Sequence, residues 1–268
     1  MPMLSLPDTK IFYSVHGSGP PMLLHHGWCC DGSDWAWMIP ALAAHYTVIV
    51  MDSRGHGRSS PAPTYGFDKL VGDVEAVLLA TTDQPAVVVG HSMGGVVLSG
   101  LALRRPDLVR ALVAIDPAYG HPPEFAGRVA EMTGFMATRP ANAAEVVSGI
   151  FGSWAGAGAP DFLEPFLVRR VMAMEADAIS GTLVGLDELP VSPRETADPI
   201  LRSRPCPVLS FHSFPGSAEW EAGTFSHPLS QAVPVSDVGH WLHIERAPAI
   251  AAQMIAWLAE LGAAEPRA

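Results

Sequence analysis

Cysteine is scarce in this chain: Cys29, Cys30 and Cys206 are the only three among 268 residues. An odd number with two adjacent is no disulfide framework, and the expected compartment is therefore a reducing cytoplasm. Adjacent cysteines also lack metal-ligand spacing, and no His/Cys cluster offers four ligands, so no metal or other cofactor is expected. Positive charge is thin as well. Sixteen Lys and Arg face 27 Asp and Glu, giving a formal charge of −11 without any basic run. That argues against nucleic acid or an anionic membrane surface as the main partner. No uninterrupted apolar run approaches the roughly 18 residues of a membrane span, and the N-terminus has no basic segment leading into an apolar stretch, so neither a span nor a signal peptide is expected. Charged residues make up only 16% and hydrophobic ones 49%, the balance of a globular chain rather than a disordered one.

What is present is a rhythm. Short β-branched runs alternate with longer helical patterns, which predicts a mostly parallel sheet covered on both faces. Met3–Leu6 and Lys10–His16 read as an opening hairpin; Met22–His25, Thr47–Asp52, Ala86–Val89 and Val109–Asp116 read as successive strands. Helical stretches fall near Trp35–His45, Phe67–Ala80 and Met93–Arg105. After Asp116 the alternation stops. Helix-like segments follow one another at Pro122–Met136, Ala141–Phe151, Asp161–Ala178 and Ser180–Leu189, broken by the turn-forming stretch 152–160. Strand signals return at Pro207–His212 and Gln231–Val235, and an amphipathic helix closes the pattern at Ala247–Leu261. The expected organisation is an α/β core, residues 1–118 and 205–268, interrupted by a helical lid at 119–204. Lid helices of this kind leave a homodimer open.

The chemistry concentrates in Gly90-His91-Ser92-Met93-Gly94-Gly95, set between an apolar strand and a helix. In that context Gly-x-Ser-x-Gly forms a nucleophile elbow, which holds a serine hydroxyl out from the backbone at a helix N-terminus. A serine needs an adjacent base. His240 follows the last strand, preceded by the permissive Gly239. An acid must then orient the histidine. The turn after Val208–His212 has no carboxylate where one is expected, and Glu219 is among the first to arrive. Asp116, at the tip of the strand after the elbow helix, is the better placed candidate, with Glu219 as the alternative. Two backbone donors for an oxyanion are expected from Met93 and from Trp28, in His25-His26-Gly27-Trp28-Cys29. His26 and Trp154 are candidate pocket residues. The segment Asp52-Ser53-Arg54-Gly55-His56-Gly57-Arg58-Ser59 reads as architecture rather than chemistry.

Together, His26-Gly27-Trp28, Asp52-x-Arg54-Gly55-His56-Gly57-x-Ser59, the elbow and Gly239-His240 resemble the α/β-hydrolase fold superfamily. The resemblance covers about two-thirds of the chain and implies the fold, but not the reaction, because that scaffold hosts esterases, lactonases, lyases, haloperoxidases and oxygenases. A narrower likeness is to cofactor-independent 3-hydroxy-4-quinolone dioxygenases. Their oxyanion loop is similar to residues 25–29, their acid follows the strand after the elbow, and Ser213-Phe214-Pro215-Gly216-Ser217-Ala218-Glu219-Trp220 looks like their corresponding segment. They typically carry His-Ser-His at the elbow with a non-glycine residue two before the serine. Here Gly90 and Met93 stand in those places, the form of a working nucleophile. Hydrolysis of a small ester or lactone is thus the expected activity. The oxygenase, with His240 and Asp116 acting as the base, is the alternative, and a non-catalytic receptor is a third class.

Overall fold

The sheet forms where β-branched residues leave no polar face. The computed structural model describes residues 2–264. In it β1 (Met3–Ser5) and β2 (Lys10–His16) form an antiparallel hairpin, and β2 pairs antiparallel with β4 (Thr47–Met51). The remaining strands run parallel: β3 (Pro21–His25), β5 (Ala86–His91), β6 (Val109–Ile115), β7 (Val208–His212) and β8 (Gln231–Pro234). Their order across the sheet is β1-β2-β4-β3-β5-β6-β7-β8. Every residue of β3, β5 and β7 is buried, as parallel strands covered on both faces must be. Alternate residues serve opposite faces. Leu23, Ile49, Val88 and Leu112 join the apolar cluster on one side, while Leu24, Val50, Val89 and Val113 join the one on the other. Each such fully buried side chain contributes roughly 1.5–3 kcal/mol.

The first cluster is covered by α2 (Phe67–Thr81) and α3 (Met93–Arg104), following α1 (Ile39–Leu42). The second packs against Trp35 and Met38 ahead of α1 and against the closing helix (Ala247–Ala264), through Met254 and Leu258. Between β6 and β7 the described residues contain five α-helices and no sheet strand: α4 (Pro123–Thr138), α5 (Ala143–Phe151), α6 (Leu163–Met172), α7 (Ala176–Leu186) and α8 (Arg194–Arg202). A single bridge joins His121 to Pro193. After β7 come α9 (Ser217–Ala222), α10 (Leu242–Glu245) and the closing helix α11. No helix among the described residues is long and apolar enough to cross a membrane.

Three local expectations change. The helix expected near Trp35–His45 is a 3-10 turn, Gly32–Trp37, followed by the four residues of α1, because Pro40 removes a donor where a longer helix needs one. The segment Asp161–Ala178 divides at 173–175, where Glu175 turns to extended backbone (ψ 137°) before α7. Beyond the last expected segment, Ser180–Leu189, the structure adds α8, which follows Pro193 and contains Pro199.

Candidate active site

The elbow is built by close approach of backbones. A Cβ on Gly90 would lie 2.3 Å from the carbonyl carbon of Gly94, and one on Gly94 would lie 2.4 Å from the His25 oxygen. Only glycine lets β5 and α3 meet this tightly. Between them Ser92 is forced to φ +50° and ψ −112°, its N–H donating to Ile115 O at 3.0 Å. Among the described residues four non-glycine ones have positive φ: Cys29, Ser92, Asp116 and Asp237. They follow β3, β5, β6 and β8 at the carboxyl edge of the sheet, so backbone strain gathers where the candidate residues converge.

A cavity of about 400 Å³ opens over this edge, within the range of small-ligand sites. Ser92, Asp116 and His240 all line it. His240 Nδ1 is 2.7 Å from Asp116 Oδ2. The Ser213 N–H donates to Asp116 Oδ1 at 2.7 Å, and the Ser213 hydroxyl to Oδ2 at 2.8 Å. The turn after β7, where the sequence offers no carboxylate, thus supplies two donors that fix the carboxylate of β6. Burial alone would raise the Asp116 carboxyl, but the hydrogen bonds from His240 and Ser213 outweigh it and hold it below the usual carboxylate range. It is therefore ionised at neutral pH and can only accept, so Nδ1 of His240 carries a proton at this contact.

Residues around His240 fix its loop. Its N–H donates to Trp154 O at 2.8 Å, and its carbonyl accepts from His91 Nε2 at 2.9 Å. The Glu245 carboxylate accepts from Gly239 N–H at 3.0 Å and from Gly156 N–H at 3.3 Å, joining this loop to the turn-rich stretch of the helical insertion. Trp154 lines the cavity with its ring edge-on to His240, centroids 5.5 Å apart.

Trp28 and Met93 also line the cavity. Met93 opens α3, so its N–H has no acceptor within the helix. Trp28 sits in a turn closed by Cys30 N–H to Gly27 O (3.2 Å), and its indole donates to Ile179 O of α7 at 2.8 Å. The wall opposite is apolar, with Phe125, Val129 and Met132 from α4 and Leu183 and Leu186 from α7.

Two sequence candidates lie elsewhere. His26 is fully buried and does not line the cavity. Its Nε2 accepts from Ser53 N–H at 2.9 Å, so its Nδ1 bears the proton and donates to Gly27 O at 2.7 Å. Both ring nitrogens are consumed in shaping the turn that follows β3. Glu219 is exposed on α9 and does not line the cavity, whereas Glu221, about 200° further round that helix, points inward and is fully buried.

That inward acid heads a constellation the sequence reading missed. Glu221 accepts from Tyr119 Oη (2.7 Å), from Arg204 Nη2 (2.9 Å) and from His212 Nε2 (2.7 Å). Burial pushes its carboxyl up, but the Arg204 charge and the His212 hydrogen bond prevail and bring it to about 2. His212 and His121 both line the cavity. Burial, and then the neighbouring His240, lower His121 to about 4, so it is a neutral ring. Eleven histidines gave no pattern to single these two out.

Among the described residues, Asp34, His91 and His243 hold donor atoms within 4.8 Å of one another, all buried. The Arg170 guanidinium already binds the Asp34 carboxylate. A divalent cation would meet a neutralised acid beside a buried cation, poor compensation for its lost hydration. The three cysteines are buried and burial raises their thiols, Cys206 to about 11, so none is a poised nucleophile.

Comparison with known proteins agrees with this architecture. Residues 20–161, just over half of the chain, match the family model described as alpha/beta hydrolase fold. An uncharacterised hydrolase, YraK, of Bacillus subtilis (strain 168) is 36% identical over 117 residues, 42% of this chain and 43% of that protein. A pimeloyl-[acyl-carrier protein] methyl ester esterase of Vibrio atlanticus (strain LGP32) is 33% identical over 116 residues, 43% of this chain and 42% of that protein. These matches span less than half the length of either relative. The crystal structure of the enol-lactonase from Burkholderia xenovorans LB400 superposes with a TM-score of 0.80 at 21% identity, over 96% of this chain and 100% of that one. The protein belongs to the alpha/beta hydrolase fold family.

Proposed function

We propose that the protein hydrolyses a small carboxylic ester or lactone through an acyl-enzyme on Ser92. The observation that carries this reading is the 2.7 Å His240–Asp116 contact facing the same apolar cavity as the strained Ser92 elbow. The Ser92 hydroxyl attacks the carbonyl carbon as His240 Nε2 takes its proton. Asp116 keeps the proton on Nδ1 and stabilises the imidazolium. The oxyanion develops toward the N–H groups of Met93 and Trp28. Collapse expels the alcohol, protonated by His240, and leaves the acyl group on Ser92. Water then attacks with His240 again as base and frees the serine. The apolar wall favours an acyl or aromatic substrate over a strongly charged one. The names of the esterase and lactonase relatives support the same class of reaction.

A panel of p-nitrophenyl esters and aliphatic lactones tests the reading, with fluorophosphonate labelling alongside. The wild-type protein is expected to turn over at least one ester and to be labelled at Ser92. Ser92→Ala is expected to lose labelling and roughly 10³-fold or more in kcat. Retained turnover in that variant overturns the covalent route. The position of Asp116 on β6 favours one second reading, a cofactor-free dioxygenase acting on a hydroxylated N-heteroaromatic with His240 as its base. Oxygen uptake with a 3-hydroxy-4-quinolone that survives Ser92→Ala and fails in His240→Ala is the result that would select it.

A further inference from the structure

The cavity wall contains a second carboxylate–imidazole pair, and it is wired so that one imidazole nitrogen is left for a ligand. His212 ends β7, and Asp116 N–H donates to the carbonyl of the preceding Phe211 at 2.8 Å, so the two pairs stand at adjacent strand tips. His212 Nε2 is occupied by Glu221 Oε2 at 2.7 Å and by Ser210 Oγ at 3.1 Å. Glu221 is ionised and can only accept, so Nε2 carries the proton. Arg204 already pairs with Glu221 at 2.9 Å, so the carboxylate asks of His212 a single N–H, which the Nε2–H tautomer provides. In that tautomer Nδ1 holds a lone pair. Among the described residues no group hydrogen-bonds to Nδ1, and it is not among the fully buried polar atoms left without a partner, so it keeps exposed area on a residue that lines the cavity.

We propose that His212 is a substrate-recognition residue whose Nδ1 accepts a hydrogen bond from a donor group on the substrate, a hydroxyl, enol or N–H. This rests on the ester-hydrolase reading and narrows it to substrates with such a donor. Ser92 follows β5 and His212 ends β7, two strand spacings away, about 10 Å between backbones. Side chains reaching inward from both tips shorten that span, so the donor sits several bonds from the scissile carbonyl rather than beside it. The surrounding wall is apolar, and an aromatic or short aliphatic spacer suits it.

The test uses methyl phenylacetate and its 2-, 3- and 4-hydroxyphenyl and methoxyphenyl derivatives. The methoxy group fills similar space but has no proton to give. For at least one ring position, the wild-type protein should favour hydroxy over methoxy about tenfold in kcat/KM, the contribution of one net hydrogen bond. His212→Gln keeps a donor near the Nε2 position for Glu221 but has no acceptor at the δ position, and its preference should fall to about one. His212→Asn keeps an oxygen at the δ position and should retain part of the preference. The same ligands are titrated calorimetrically into Ser92→Ala protein and into Ser92→Ala/His212→Gln. That readout needs no hydrolysis, so failure of the esterase reading and failure of this proposal give different results. No hydroxy preference at any position, a preference for methoxy, or a preference that survives His212→Gln overturns it.

Discussion

The two carboxylate–imidazole pairs on the cavity share a 2.7 Å contact and differ in everything around it. In the first, Asp116 is held by two donors from Ser213 and no cation, so His240 is the group that responds to its charge. In the second, Glu221 is gripped by Arg204 and Tyr119 before His212 is counted. His240 sits on a loop, held through backbone contacts to Trp154 and His91, whereas His212 is part of a strand with Pro234 of β8 as its neighbour. A carboxylate without a counter-ion polarises its imidazole for proton transfer. One already neutralised by a guanidinium fixes a tautomer and little more. The same pair of residue types is therefore suited to proton transfer in one setting and, as proposed, to recognition in the other.

The largest expected effect breaks the first pair. In Asp116→Asn, an amide can present N–H toward His240 and favour the wrong tautomer, so ester turnover should fall roughly 10⁴-fold. The thermal midpoint should move little, because Ser213 still finds an amide oxygen. Steady-state kinetics with circular dichroism reads both, and a loss of activity no greater than the loss of fold would refute the orienting role. Glu221→Gln reverses the pattern. Arg204, fully buried, loses its counter-charge, which costs about 3–5 kcal/mol of stability. The wild-type Glu221 carboxyl ionises near 2 in the fold and near 4.5 when unfolded. Its pairing thus stabilises the fold fully above pH 4.5 and is lost as the pH falls through 2, about 3 kcal/mol in all. Urea denaturation between pH 7 and pH 2.5 should show that acid limb in the wild type and a shallower one in Glu221→Gln. Equal slopes would mean that Glu221 is not the ionised partner of Arg204.

The sheet and the elbow were legible because each rests on a short-range requirement. Continuous β-branched runs can only be strands buried on both faces, and Gly90 and Gly94 are needed wherever backbones touch. The Asp116–His240 contact is legible because the rival position is empty of carboxylates, whereas Ser213, which fills that place, gives no signal in the sequence that it anchors Asp116. Glu219 and Glu221 are indistinguishable without knowing that α9 exists and which face it turns inward. The same limit applies to the break at 173–175. Ala173, Met174 and Glu175 all favour helix, and packing of Leu167, Val171, Ile179 and Leu183 into the core decides where the turn falls. His26, a pocket candidate by its place after β3, is not legible as a buried support because the sequence does not show that its two nitrogens serve the backbone around it.

The smallest expected effect separates the pairs by their supports rather than their chemistry. Glu245 touches neither histidine, yet it accepts from Gly239 N–H beside His240 and from Gly156 N–H in the helical insertion. A Cβ on Gly239 would lie 2.2 Å from Gly156 N, so the two segments already meet backbone to backbone and the carboxylate pins that junction. Glu245→Ala removes a shared acceptor from partly exposed amides that water can reach, a loss of about 1 kcal/mol and up to roughly tenfold in kcat. Glu245→Gln keeps one acceptor oxygen and should recover most of the activity. Amide hydrogen exchange should quicken at Gly156 and Gly239 in Glu245→Ala and stay unchanged at the β7 amides that carry His212. If kcat holds while those two amides exchange faster, the insertion does not position His240. If kcat falls and the preference for hydroxylated esters persists, the base has been loosened while the recognition pair stays in place, the separation that their different supports require.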